Sequence, residues 1–175
     1  MTLDPAQRRE LLTNRLLGIA EFSHAHWFFG NVYEALVKIP HRVAGSETTP
    51  DLSRRPFGPG SPGRYYVPLA PANVPLAVAA LLAGWNRAGI RPWLITAAVS
   101  SAAGGAATAY ILGSLNPKLF FSPQPLGEEI RKPLLTRWYR VHVVRLVASG
   151  IALAAIDHAR AVGLKTSSRG PQTGA

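Results

Sequence analysis

Residues 93–115 read WLITAAVSSAAGGAATAYILGSL, a run of 23 residues without one charged side chain. At about 1.5 Å per helical residue that run is long enough to cross a hydrocarbon layer of about 30 Å, so it reads as a membrane span. Immediately before it, Leu69 to Asn86 is a second uncharged run of 18 residues, near the lower limit, with Pro71 and Pro75 only in its first turns, where proline is tolerated. The two make a hairpin that turns at Asn86-Arg87-Ala88-Gly89-Ile90-Arg91-Pro92, which supplies a glycine stop, two cations and a proline start.

The flanking segments are less apolar. Asp4-Pro5 is a cap followed by a first-turn proline, and the pattern continues without a breaker to Ile39, roughly 50 Å of helix. Its first turns (Gln7, Arg8, Arg9, Glu10) belong in headgroups or water, while Leu16 to Val37 spans. Pro133 opens a last helix to Gly163, with Trp138 and Tyr139 as interfacial aromatics at one end and His158, Arg160 and Lys165 at the other. About eight Val, Leu and Ile residues at roughly −0.5 kcal/mol each barely offset one central arginine at about +3, so Arg145 must be sheltered by protein. The expected fold is all-α: a four-helix transmembrane bundle with helices at about 5–39, 72–88, 92–115 and 133–163 and a long Pro/Gly-rich loop between the first two. Residues 1–163 form one membrane domain and 164–175 a disordered tail. The competing arrangement is a two-span hairpin whose flanking amphipathic helices lie on the membrane.

Composition narrows the function classes. The chain has 175 residues, 47% apolar and 16% charged, with no cysteine and a net charge of +10. The apolar fraction excludes a disordered chain, and the missing cysteines exclude disulfide scaffolds, thiolate metal sites and thiol redox chemistry. Cations are spread over both ends with no recognition motif, so nucleic acid is discounted as a partner in favour of anionic headgroups. The first apolar segment is long and interrupted by Arg15, Glu21, His24 and His26, unlike a secretory signal. Expected localisation is the cell membrane, multi-pass. Weighting the short loops places both termini in the cytoplasm.

Polar residues inside the expected spans carry the chemistry. At 100° per residue His24, Asn31 and Lys38 fall within about 40° of one another, Glu21 and Glu34 flank that stripe, and His26 points nearly opposite. Trp138, His142, Arg145 and Ser149 form a comparable seam on the last helix, and buried membrane charges pair, so the two seams should face each other. Counted from the loop-side ends, Asn31 lies roughly 12 Å deep, His142 13 Å, Arg145 18 Å and His24 22 Å. Tyr110 and Asn116 on the third helix belong to the same half. The expectation is a polar pocket opening towards the proline-rich loops, with Glu34 or Glu21 neutralising Arg145 or Arg140. Polar residues on facing helices also serve as plain interhelical hydrogen bonds, and Glu34, Lys38 and Arg140 can snorkel to the interface. Ala97, Ser101, Gly105 and Ala109, four residues apart, form a close-packing face serving the bundle or a homodimer.

Three constellations fit these residue types. Glu21-Phe22-Ser23-His24 fits Glu-x-x-His, but a di-iron bundle needs a second copy and further carboxylates, which the sequence lacks. His24 and His142 as a haem pair differ by about 9 Å in depth. A histidine beside a carboxylate in a low-dielectric pocket, able to take a proton from an acidic carbon or phenol while Asn31 or Arg145 holds the oxyanion, needs the fewest missing parts. No metal-ligand set and no cofactor is assigned.

The segments HAHWFFGNVYEALVKIP, SPGRYYVPLAP and LNPKLFF, with the two-span hairpin between the last two, resemble a family of small bacterial four-helix membrane proteins of unknown function grouped with the anthrone oxygenase-like proteins. The likeness covers most of residues 15 to 160. It implies a helical membrane protein whose relatives oxidise anthrone-type polyketides to quinones without an obvious cofactor. Trp27, Gly30, Asn31, Tyr33, Glu34 and Pro40 fall in the first family block by position, and Tyr65, Tyr66 and Pro68 in the second.

Two functions follow. In the first, the chain is a cofactor-independent, oxygenase-like membrane enzyme acting on a lipophilic aromatic or quinone-like molecule. His24, His142 and Glu34 are then the catalytic candidates, and Glu21, Asn31, Tyr110, Asn116 and Arg145 bind the substrate. In the second it is a non-catalytic subunit, transporter component or lipid-binding bundle.

Overall fold

The side-chain oxygen of Gln7 accepts the Asp4 N–H at 3.3 Å in front of Pro5, and helix α1 runs from there over Pro5–Tyr33. The structure, a computed structural model, describes residues 4–40, 62–122 and 126–168, and all regular structure among them is helical. A π-helical stretch, Glu34–Lys38, continues α1 to its end. After it come a five-residue helix α2 (Pro62–Tyr66), a 3-10 turn (Ala70–Ala72), α3 (Asn73–Gly84), α4 (Arg91–Phe120) and α5 (Glu128–Ser168). α1 packs on α3 and α5, and α4 packs on the same two, so the four long helices form a ring of sequence-adjacent, antiparallel neighbours.

Several expected boundaries move. The second helix ends at Gly84, not residue 88, where Leu94 Cδ1 comes within 2.5 Å of the place a Cβ on Gly84 would take and the chain turns into the hairpin. The third does not stop at residue 115: a π stretch over Ile111–Leu115 carries it through Asn116-Pro117 to Phe120. The last begins five residues before Pro133, because the Gly127 carbonyl accepts the N–H groups of Ile130 and Arg131 and Glu128 and Glu129 suit the positive helix end. Residues 164–168 continue this helix, whereas 169–175 lie outside the described residues. Most of the loop expected over 40–72, residues 41–61, also lies outside them.

Two helices, Arg91–Phe120 and Glu128–Lys165, are long and apolar enough to cross a membrane. α1 is long, but Glu21, His24, His26 and Asn31 interrupt its apolar stretch, and the apolar helix Ala70–Gly84 is short. The core is divided. Leu17, Ala20, Ala80, Ile90, Leu94, Ala97, Ala155, Ile156 and Ala159 pack at the hairpin end, and Ile39, Ile111, Leu115 and Trp138 at the other. Between the two apolar clusters lies a band of buried polar side chains that includes Ser23, His24, Asn31, Glu34, His142, Arg145 and Ser149. Outside the same band the surface is apolar: Phe22, Phe29, Leu36, Val99, Val144 and Val147 all face outward.

Candidate functional site

Each helix tilts its side chains towards its own N-terminus, and α1 and α5 are antiparallel, so Glu34 and Arg145 lean towards each other across the bundle. Arg145 Nη2 donates to Glu34 Oε2 at 2.5 Å, and the two residues are 3% and 6% exposed. This decides which acid and base pair: Glu34 neutralises Arg145, while Glu21 forms its ion pair with Arg160 on the half-exposed flank and Arg140 faces outward.

The pair is embedded in a hydrogen-bonded group. His142 Nδ1 lies 2.5 Å from Arg145 Nη2, and because a guanidinium only donates, this nitrogen is the acceptor. Nε2 therefore carries the proton and donates to the Asn31 carbonyl at 3.0 Å. The imidazole stacks on Trp138, with centroids 4.5 Å apart and planes within 11°, and Trp138 Nε1 donates to Asn116 Oδ1 at 3.0 Å. Asn31 Nδ2 donates to Ser149 Oγ at 3.4 Å. Over this group lies Tyr66 from α2, whose hydroxyl reaches Asn31 Oδ1 at 3.1 Å and Glu34 Oε2 at 3.3 Å. Burial, reinforced by the adjacent Glu34 carboxylate, raises the Tyr66 phenol above its ordinary pKa. One polar atom of the group is left over: Arg145 Nε is buried without a hydrogen-bond partner.

His24 belongs to a different layer, one helical turn or more nearer the hairpin. Its Nδ1 donates to the Ala20 carbonyl and its Nε2 accepts from Ser101 Oγ, both at 2.7 Å. Beside it Ser23 Oγ donates to Asn73 Oδ1 at 2.7 Å, and Trp27 points the edge of its ring at Gly104, where a Cβ would stand 2.5 Å from Cη2. The site residues expected from sequence thus separate. Glu34, Asn31, His142 and Arg145 come together, and Asn116 supports them through Trp138. His24 stands in the second layer, Glu21 on the flank, and Tyr110, at 40% exposure, on the outer surface. Ser101, expected in a packing face, is a hydrogen-bond partner as well.

The Glu34–Arg145 contact joins α1 to α5 and the Tyr66 hydroxyl reaches α1 at the same level, and a cleft lies along α5, lined by Glu128, Lys132, Arg137 and Arg140 among others. Among the described residues no three His, Cys, Asp or Glu side chains converge on one point. Sequence reasoning did not place Tyr66 in this group; the available signal was a tyrosine pair in an otherwise Pro/Gly-rich stretch.

No protein-family profile, curated protein or solved structure matches this chain. The group contains a carboxylate, a guanidinium paired with it and an imidazole of fixed tautomer, all buried, with a partly buried phenol laid over them. Such a set can take a proton from a weak acid and hold the oxygen anion that results.

Proposed function

We propose that the chain is a multi-pass membrane protein in which all four long helices cross the bilayer, and that the Glu34–Arg145–His142 group acts on a lipophilic aromatic or quinone-like small molecule. The observation that carries this reading is the inversion of polarity: a charged pair and an imidazole inside, phenylalanine, leucine and valine outside, at the same level of the bundle. Ionisable groups in such a place are expensive and mark functional sites by default. Glu34 is the proton acceptor best placed for a ligand entering from the α2 side, since both His142 nitrogens are already engaged. Arg145 and Asn31 would hold the ligand oxygen. The resemblance to anthrone oxygenase-like proteins supports an oxidation to a quinone, for which dioxygen is the oxidant.

The test is turnover of an anthrone in air by membrane vesicles bearing the chain. Quinone should form above the background of vesicles without it, and Glu34→Asp, which keeps the charge but withdraws it by a methylene, should lower the rate about a hundredfold. No product above background would favour the second reading, a non-catalytic membrane bundle. The closed, bonded state of His142 and Asn31 is the observation that favours that alternative.

A further inference from the structure

Tyr66 is the one member of the buried group that no long helix supplies. Its single hydroxyl proton faces two acceptors, Asn31 Oδ1 and Glu34 Oε2, at 3.1 and 3.3 Å, both longer than the usual O–H···O distance of about 2.7–2.8 Å. Arg145 Nε, meanwhile, is a buried donor with no acceptor. Glu34 Oε2 is already held by Arg145, so the protein offers one loosely filled acceptor, Asn31 Oδ1, a carboxylate that Tyr66 reaches only at long range, and a donor that is not filled at all.

The seat of this phenol is equally specific. Tyr65 and Tyr66 rest on bare backbone at Gly30, where a Cβ would stand 2.4 Å from Tyr65 Cε1 and 2.9 Å from Tyr66 Cε1. Tyr65 is clipped to the rim of α1 by two reciprocal bonds, its hydroxyl donating to the His26 carbonyl at 3.1 Å and His26 Nε2 donating to its own carbonyl at 2.9 Å. The two rings stack 4.0 Å apart at the partly exposed surface. A five-residue helix seated on α1 through these two tyrosines can lift without unpacking the four long helices from one another.

We infer that Tyr66 is a built-in stand-in for the ligand: a hydroxylated aromatic lipophile displaces the Tyr65–Tyr66 segment from Gly30, and its own hydroxyl donates to Glu34 while accepting from Arg145 Nε. This rests on the lipophile-site reading above and adds the ligand class and the entry route. The segment is a competitor, so the apparent affinity of the wild-type chain is reduced by the fraction of molecules in which it is seated.

The experiment is equilibrium dialysis of 1-naphthol against the full chain in lipid nanodiscs, corrected with empty nanodiscs, with 1-methoxynaphthalene as the ligand that cannot donate. Saturable 1-naphthol binding is expected for the wild type, tightening about tenfold in Gly30→Ala, whose methyl group meets only the two tyrosines and unseats them. The methyl ether should show no saturable binding to either. Tyr66→Phe, which keeps the ring but removes the competing hydroxyl, should tighten 1-naphthol in the same direction and serves if Gly30→Ala does not fold. Equal behaviour of naphthol and its ether, or unchanged naphthol affinity in the folded variants, overturns the inference. Saturable binding of menadione, which has carbonyls and no hydroxyl, without binding of 1-naphthol would overturn the hydroxyl assignment and leave the lipophile site standing. Failure of both ligands would overturn the two together.

Discussion

At the scale of single residues, Glu34 and Arg145 depend on each other. Each charge is tolerable inside the bundle because the other lies 2.5 Å away. Removing one leaves an uncompensated charge in a medium that cannot hydrate it, so Glu34→Gln and Arg145→Met should each cost about 3–5 kcal/mol in detergent unfolding. The double variant should cost clearly less than the sum of the two; additive losses would show that the pair is not coupled. Tyr66 gives a pH test at the same scale. Its phenol is raised in the folded chain, so the folded state keeps a proton that the unfolded chain releases near pH 10. The stability this contributes is present below about pH 10 and is lost as pH rises beyond it. Absorbance titration at 295 nm should accordingly show that Tyr66→Phe removes amplitude only from the part above the ordinary tyrosine range; loss near pH 10 would contradict a buried phenol.

At the scale of elements, the two π stretches set the register of the site. In a regular α1 the stripe of His24 and Asn31 would carry Lys38 inward. Instead the Ile39 N–H bonds the Glu34 carbonyl, five residues back, and Ile39 rather than Lys38 reaches the core. The same slip in α4, with the Asn116 N–H on the Ile111 carbonyl, sets Asn116 beneath Trp138. Since four residues of α-helix and five of π-helix cover nearly the same rotation, deleting the outward-facing Leu36 should turn this stretch into regular helix and leave Ile39 seated, with stability changed by about 1 kcal/mol or less. Deleting Phe29, also exposed but in regular helix, rotates Glu34 by about 100° away from Arg145 and should abolish the fold. Unfolding curves of the two deletions separate these outcomes. The facing of the two seams was legible because polar and ionisable residues recur at helical spacing on α1 and α5 and buried charges pair. The partner choice was less so, because it follows from the tilt of side chains on antiparallel helices. The π slips leave no mark in residue types. Tyr66 was hidden because it comes from 32 residues beyond Glu34, and its position depends on a bare Gly30 rather than on any periodic pattern.

At the scale of the molecule, everything rests on what surrounds the bundle. Apolar clusters at each end close it, a polar band crosses its middle, and large apolar side chains cover its flank at that same level. In water this distribution is inverted; in lipid it is the expected one, with the charges turned inward. The chain has no cysteine, so single cysteines report topology without a background to remove. Val67 beside α2 and Asn86 in the hairpin turn are both exposed and lie at opposite ends of the bundle. In right-side-out vesicles treated with a membrane-impermeant maleimide, Val67→Cys should label at once and Asn86→Cys only after permeabilisation. Labelling of both from one side, or release of the chain from the vesicles without detergent, would contradict a four-span bundle around the Glu34–Arg145 pair.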